Sequence, residues 1–415
     1  MNLPELLAPA ADGECAEAAF NHGADAVYIG LGTYNLRAHT KNVVPSQLGP
    51  LLDFAKTRGK KVYAALNIMP DDKTLKEIEI LLSTLSRQEI LPDAFIVSDP
   101  GIITLCREYA SCTALHLSTQ TGTFNAGAAD FWLKQGIQRI ILPRELTLEQ
   151  IAGLCRTVKA QVEVFIHGAM CVSVSGRCLL SVYTAKRHPN FGDCSQPCRL
   201  KYRIAPVYDG EGDTGEWLTV TEESGEGAMP AQVFVLNSKD LCCLPILDRI
   251  VAAGVASLKI EGRHRSTHYV SSVVKVYRAA LDSLAGGAEY AVKPEWQQEL
   301  DRLDHRPYTT GFYGGEYALQ DVNDNRPLPD VRIVGVVRET LAGKGVVVDV
   351  KNPFSEGDTL NVLPVKNGEM PYEITIRGIT DLEGNRVERA LTNRLVIVAE
   401  AEEGLGKGDM LRKGK

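Results

Sequence analysis

Two short stretches carry the densest chemistry in this chain. "HGAMCVSVSGRC" (167–178) follows the apolar run "VEVFI", and "GDCSQPC" (192–198) comes soon after. Together they place Cys171, Cys178, Cys194 and Cys198 in a C-x6-C-x15-C-x3-C pattern. Four thiolates are the usual complement of a [4Fe–4S] cluster or of a structural zinc ion. Zinc sites generally show a tight C-x2-C knuckle, which this pattern lacks, and the looser gaps suit a cubane, which is larger than one ion. A cluster, zinc and plain burial of the thiols all remain open at this level, with the cluster favoured. Cys242, in "LNSKDLCC", is an alternate ligand if the chain folds back; packing on an apolar helix face is the favoured explanation. Burial is the expectation for Cys15, Cys106, Cys112 and Cys155.

A nucleophilic reading is weaker. His167 and Cys171 are neighbours in sequence, but a thiol protease also needs a positioned base and an oxyanion hole. The chain has no HExxH and no complete GxSxG. Charge around the cysteines is more informative. From Cys171 to Arg203 there are six basic residues (Arg177, Lys186, Arg187, Arg199, Lys201 and Arg203) against one acid, Asp193. A protein of formal charge −7 has gathered cations beside its cysteines. Such a local excess suits an anionic substrate, a carboxylate metabolite or a phosphate backbone. "KIEGRHR" adds Lys259, Arg263 and Arg265 at another apolar run's end.

These side chains need a scaffold. Eight short apolar runs fit strands: "PELLAPA", "DAVYIGL", "KVYAALNI", "DAFIVSD", "LHLSTQT", "RIILPRE", "VEVFIHG" and "SLKIEG". Helix-like segments such as "DKTLKEIEILLSTLSRQE" lie between them. Alternation of this kind predicts an α/β fold, a TIM-like (β/α)8 barrel, regular or irregular, over residues 1–320. No GxGxxG follows the first strand, so nothing favours a dinucleotide fold. Barrel chemistry gathers at the C-terminal ends of strands. Asn67, Asp99, Gln120, Arg144, His167 and Glu261 stand at such ends and together predict an active-site face.

The alternation breaks after His167. An insertion over about 168–235 carries the cysteines and then "EWLTVTEESGEGAMPAQVFVL", which reads as a hairpin with a Gly-rich tip. Loops this long at a barrel mouth are usually functional. The Asn-, Asp- and Pro-rich "GGEYALQDVNDNRPLPD" reads as a linker, and closely spaced strands over 330–415 predict a small all-β barrel domain. The N-terminal residues lack a basic, apolar leader pattern, and no run of eighteen apolar residues occurs. The expectation is a cytoplasmic protein without a membrane span, whose thiols stay reduced.

"ELLAPAADGECAEAAFNHGADAVYIGL", "EVFIHGAMCVSVSGRCLLS", "GDCSQPCRLKY", "LNSKDL" and "SLKIEGRHRSTHYVSSVVKVYRAALD" resemble the collagenase-like peptidase family, family U thirty-two. The resemblance runs over about residues 3–320, and "NPFSEGDTLNVLP" with "GKGDMLRK" is similar to that family's C-terminal β-barrel domain. The layout is similar to the branch that hydroxylates the wobble uridine of tRNA. The resemblance implies an oxygen-independent hydroxylase carrying a [4Fe–4S] cluster on Cys171, Cys178, Cys194 and Cys198, with Cys242 as alternate. It implies 5-hydroxyuridine as product and prephenate, a small carboxylate metabolite, as hydroxyl donor. Relatives of that kind act on ribosomal RNA cytidine or on quinone precursors; the older family name implies a peptidase with a structural metal, zinc included. The sequence departs from the motif at Val174, where an aromatic residue often stands, and in "NFG" (190–192), where "NQG" is usual. On this reading His167 and Glu261 transfer protons. Arg177, Arg187, Arg199, Lys259, Arg263, Asn67, Gln120 and Arg144 hold tRNA phosphate or the carboxylates of the donor.

Overall fold

The computed structural model describes residues 3–203, 232–233, 236–287, 289–315, 319–321, 330–341, 345–366, 368–399 and 404–414. The Gly-rich tip expected within 216–231, and most of the linker, lie outside the described residues. Strands β1 (Glu5–Pro9), β2 (Ala26–Gly30), β3 (Lys61–Leu66), β4 (Ala94–Val97), β5 (Ala114–Leu117), β6 (Arg139–Ile141) and β7 (Gln161–Ala169) pair in parallel in chain order. The strand Ser257–Ile260 pairs with both β7 and β1 and closes an eight-stranded parallel barrel. Strands buried on both faces read as continuous apolar runs, and for that reason "AVYIG" and "AFIV" were legible without alternation.

The helices start where their capping chemistry says they should. Asp12 caps α1 (Gly13–Asn21) by accepting from Cys15 N, and Asp71 caps α2 (Asp72–Arg87) by accepting from Thr74 N. Thr147 and Gln150 form a capping box at the helix Leu148–Thr157. Asp99 accepts from Gly101 N and Ile102 N at the start of the helix Pro100–Tyr109. Its polarity at a strand end therefore serves a helix cap.

The insertion leaves β7 and returns as a short strand, Asp240–Cys242, antiparallel to β7 with Cys242 opposite His167. After the closing strand, the helix Thr267–Ala285 packs on α1. The C-terminal domain is an antiparallel half-barrel of seven strands with its own core, including Val334, Val348, Leu360 and Leu411. A buried arginine locks it to the barrel. Arg412, on the last strand (Met410–Gly414), donates to Glu299 Oε2 at 3.0 Å, lies 3.0 Å from His268 Nε2, and donates to Asn361 Oδ1 at 3.0 Å. Lys275 adds a bond to the Val365 carbonyl at 3.4 Å. Among the described residues, no helix is long and apolar enough to cross a membrane.

Candidate active site at the barrel mouth

The barrel interior has two polar layers. At the N-terminal ends of the strands, Arg139 Nη1 donates to Glu5 Oε1 at 2.6 Å and to Glu163 Oε2 at 3.2 Å. Lys259 Nζ donates to Glu163 Oε1 at 2.9 Å, and Tyr63 Oη to Glu5 Oε2 at 2.6 Å. Burial pushes the Glu163 carboxyl up, but Lys259 and Arg139 more than offset this and hold it below its ordinary range. Burial lowers the pKa of Lys259 against the pull of Glu163, and the Tyr28 ring lies 4.3 Å from its side-chain nitrogen.

Above this floor, at the C-terminal ends, lies a cavity of about 180 Å³. The loops after β2, β3, β5, β6, β7 and the closing strand supply its walls, among them Arg37, Asn67, Gln120, Arg144, Cys171 and Arg263. Glu261 faces Arg37 Nη2 at 3.7 Å and Arg144 Nη2 at 4.0 Å. Burial raises its pKa, yet Arg37, Arg144 and Arg263 win and the carboxyl is held low, so it is ionised at neutral pH. Burial lowers Arg263 to about 10, which leaves it protonated. Arg144 stacks over the Phe165 ring at 3.9 Å.

The cavity wall contains donors with nothing to bind. Arg37 Nε, Arg144 Nε, Arg263 Nη1 and Gln120 Nε2 are buried and have no hydrogen-bond partner. Buried donors are normally satisfied, so four unsatisfied ones on residues lining one cavity stand out. Two glycines make the arrangement possible. A Cβ on Gly30 would fall 2.0 Å from Arg263 Nη1, and one on Gly168 would fall 2.3 Å from the Glu261 carbonyl oxygen. Gly168 also has a φ of +106°, which a side chain rarely adopts.

The cysteine loop is fastened to this mouth. Ser175 has a φ of +32°, in the left-handed region that non-glycine residues enter only when held. Glu145 holds it, accepting from Ser175 N at 2.9 Å and from Ser175 Oγ at 2.7 Å. Arg177 Nη2 donates to the Thr121 carbonyl at 3.3 Å, and Met69 N to the Asn190 carbonyl at 3.2 Å. All ten cysteines are free thiols. Cys171 is exposed and also lines the cavity, while Cys178, Cys194 and Cys198 are half-buried. Burial raises the Cys198 thiol, and the nearby Cys171 and Cys194 sulfurs raise it further. Among the described residues, no group of three or more His, Cys, Asp or Glu side chains is placed to hold a metal ion.

The sequence-derived residues divide accordingly. Asn67, Gln120, Arg144, Lys259, Glu261 and Arg263 come together around the cavity, with Arg177 pinned at its rim. Arg187 pairs with Asp193 on the exposed side of the insertion, and Arg199 is half-buried near Arg306 and Asp240. His167 is elsewhere. Its side chain is buried among Tyr269, Tyr277 and Tyr308, with ring centroids 5.5–6.0 Å away, and burial lowers it to about 3. It is neutral at physiological pH and does not line the cavity. Cys242 places its thiol 3.8 Å from Tyr277 Oη, and burial raises it to about 11. Cys112 is exposed, against the expectation of burial. Sequence reading missed Arg37, Glu145 and Ser118. Arg37 had a signal, a cation in the loop directly after a strand, but "LRAHTKN" offers several polar residues and no means of choosing among them.

Residues 11–323 match the family described as Peptidase family U32, and residues 329–412 match its C-terminal domain. The chain belongs to this family. It is 33% identical over 416 residues to tRNA hydroxylation protein P1 of Bacillus subtilis, covering 99% of this chain and 95% of that one. It is 36% identical over 404 residues to tRNA hydroxylation protein P of Escherichia coli, covering 88% and 86%. A third relative, a 23S rRNA 5-hydroxycytidine synthase of Escherichia coli, is 32% identical over 370 residues, covering 86% of this chain and 52% of that one.

Proposed function

We propose that this protein is a cytoplasmic RNA-modifying enzyme that hydroxylates the wobble uridine of tRNA to 5-hydroxyuridine without molecular oxygen. The observation that carries the reading is the cavity with four unpartnered buried donors, opening beside the cysteine-bearing insertion. The names of relatives matched over most of the chain point to RNA hydroxylation as the class. Arg37, Arg144, Arg263 and Gln120 bind and orient a small carboxylate metabolite, with prephenate the proposed hydroxyl donor. Glu261 keeps these guanidiniums in place and stays ionised. Lys259, fixed by Glu163, places one further positive charge at the cavity floor.

Cys171, Cys178, Cys194 and Cys198 are proposed to hold a [4Fe–4S] cluster, which would supply one-electron or Lewis-acid chemistry at the mouth. Four free thiols on one loop fit a thiolate-held group. The loose C-x6-C-x15-C-x3-C spacing, without a C-x2-C knuckle, favours the cluster over zinc. A peptidase built on Cys171 would need His167 as its base, and that ring is enclosed by tyrosines, neutral, and turned away from the cavity.

The test is mass spectrometry of tRNA from a strain lacking the gene. Loss of 5-hydroxyuridine, restored by the wild-type gene but not by Cys171→Ser, is the expected result. Unchanged 5-hydroxyuridine in a strain with no second route to it overturns the assignment. Anaerobically purified protein should carry about four irons per chain, and iron-free, colourless protein would remove the cluster.

A further inference from the structure

Fourteen large apolar side chains are exposed among the described residues, and six of them lie on the insertion: Val172, Val174, Leu179, Tyr183, Phe191 and Leu200. Scattered exposed apolar residues are normal, but concentration on one thirty-residue loop marks an interaction surface. Tyr183 is the most exposed of all fourteen, at 78%. Leu179, one helical turn before it, is 47% exposed, and Tyr183 N donates to the Leu179 carbonyl at 3.1 Å. Residues four apart share a helix face, so the phenol ring and the leucine form one flat apolar step.

Cations flank this step. Arg177 precedes it and Lys186 follows it, and neither has an ion pair among the described residues. The step is tethered to the cavity rim through Arg177. Gln120 lines the cavity wall, its neighbour Thr121 accepts from Arg177, and Leu180 N donates to Cys178 Sγ at 3.4 Å. A protein-binding patch is usually depleted of lysine at its centre. An exposed aromatic between cations instead fits a nucleobase with phosphates on either side.

We propose that the Leu179–Tyr183 face, with Arg177 and Lys186 at its ends, is a stacking platform for an unpaired base of an RNA loop. It holds a nucleotide next to the one that enters the cavity. This rests on the RNA reading above and adds to it a place and a mode of contact. Bases in a duplex keep their stacking partners, so the platform selects loops over helices.

The experiment measures binding of the full-length protein to a fluorescent RNA stem-loop and to a fully paired duplex of equal length. Tyr183→Ala should weaken stem-loop binding about tenfold, with duplex binding unchanged. Tyr183→Trp should keep wild-type affinity, and Leu179→Ser should give a smaller loss. If the wild type binds the stem-loop and Tyr183→Ala binds it equally well, the platform is wrong while the RNA reading stands. Failure of the wild type to bind either RNA removes both. A change of oligomeric state in Tyr183→Ala, by light scattering, with unchanged RNA affinity would assign the face to protein contact and overturn the proposal.

Discussion

The floor and the mouth of this barrel contain similar residues in opposite states. At the floor, Arg139 and Lys259 meet Glu5 and Glu163, and every charge has a partner. At the mouth, Arg37, Arg144 and Arg263 surround one carboxylate, Glu261, and three of their nitrogens remain without an acceptor. The floor uses its buried guanidinium donors within the fold, whereas the mouth leaves three over even though Arg37 and Arg144 keep their ion pairs with Glu261. The same guanidinium chemistry therefore stands in two settings only a few residues apart along the strands. Lys259 joins the layers, lining the cavity while bonded to the floor.

The sharpest way to break this contrast is at the floor. Glu163→Gln leaves Arg139 and Lys259 with one carboxylate fewer in a dry interior. It should cost about 3–5 kcal/mol in denaturant unfolding. A loss below 1 kcal/mol would mean the floor network does not hold the barrel together. The matching change at the mouth is Arg144→Met, which keeps the packing on Phe165 and removes the charge. Stability should change little, while affinity for a dicarboxylate probe falls roughly 10- to 100-fold by calorimetry. Equal losses in both measurements would erase the distinction.

Acid provides a graded version of the same comparison. Burial lowers His116, which meets the Tyr63 ring edge-on at the floor, to about 3. Its unfolded value is 6.5, so between these two pH values the unfolded chain binds a proton that the native state does not. Stability must therefore fall as pH drops from 6.5 toward 3, by up to about 1.4 kcal/mol per pH unit from this residue. His116→Gln should flatten the acid limb of a stability–pH profile, and an unchanged slope would mean the ring protonates in place. The smallest effect expected is from Ser175→Ala, which removes one of two bonds from Glu145. It should cost about 0.5–1.5 kcal/mol locally. The readout is faster reaction of Cys171 and Cys178 with a thiol reagent, with the global melting temperature unaltered.

Much of this was legible from residue types. The eight strands declared themselves as apolar runs, and the rule that barrel chemistry sits at strand ends gathered Asn67, Gln120, Arg144, Glu261 and Arg263 before any coordinates. The floor was not legible. Glu5, Arg139, Glu163 and Lys259 are single charges inside buried runs, and their pairing exists only once the barrel closes. His167 was misplaced for a related reason. Strand residues alternate sides, but the register shift between Lys259 and Ile260 changes which residues face one another where β7 meets the closing strand. No spacing rule shows that in advance. Arg37 depended on the path of a loop, and loops carry little periodic signal.

The closing strand also sets a timetable for synthesis. Glu5 pairs with Ser257, so the first strand waits for more than half the chain to be translated before its outer edge is covered. By then the segment with Cys171, Cys178, Cys194 and Cys198 has already left the ribosome, attached to an open sheet. The floor ion pairs between Glu5 and Arg139 and between Glu163 and Lys259 complete only when that gap shuts. Until the gap shuts, the four cysteines sit beside an unfinished barrel, and delayed closure prolongs the exposure of their free thiols to oxidation.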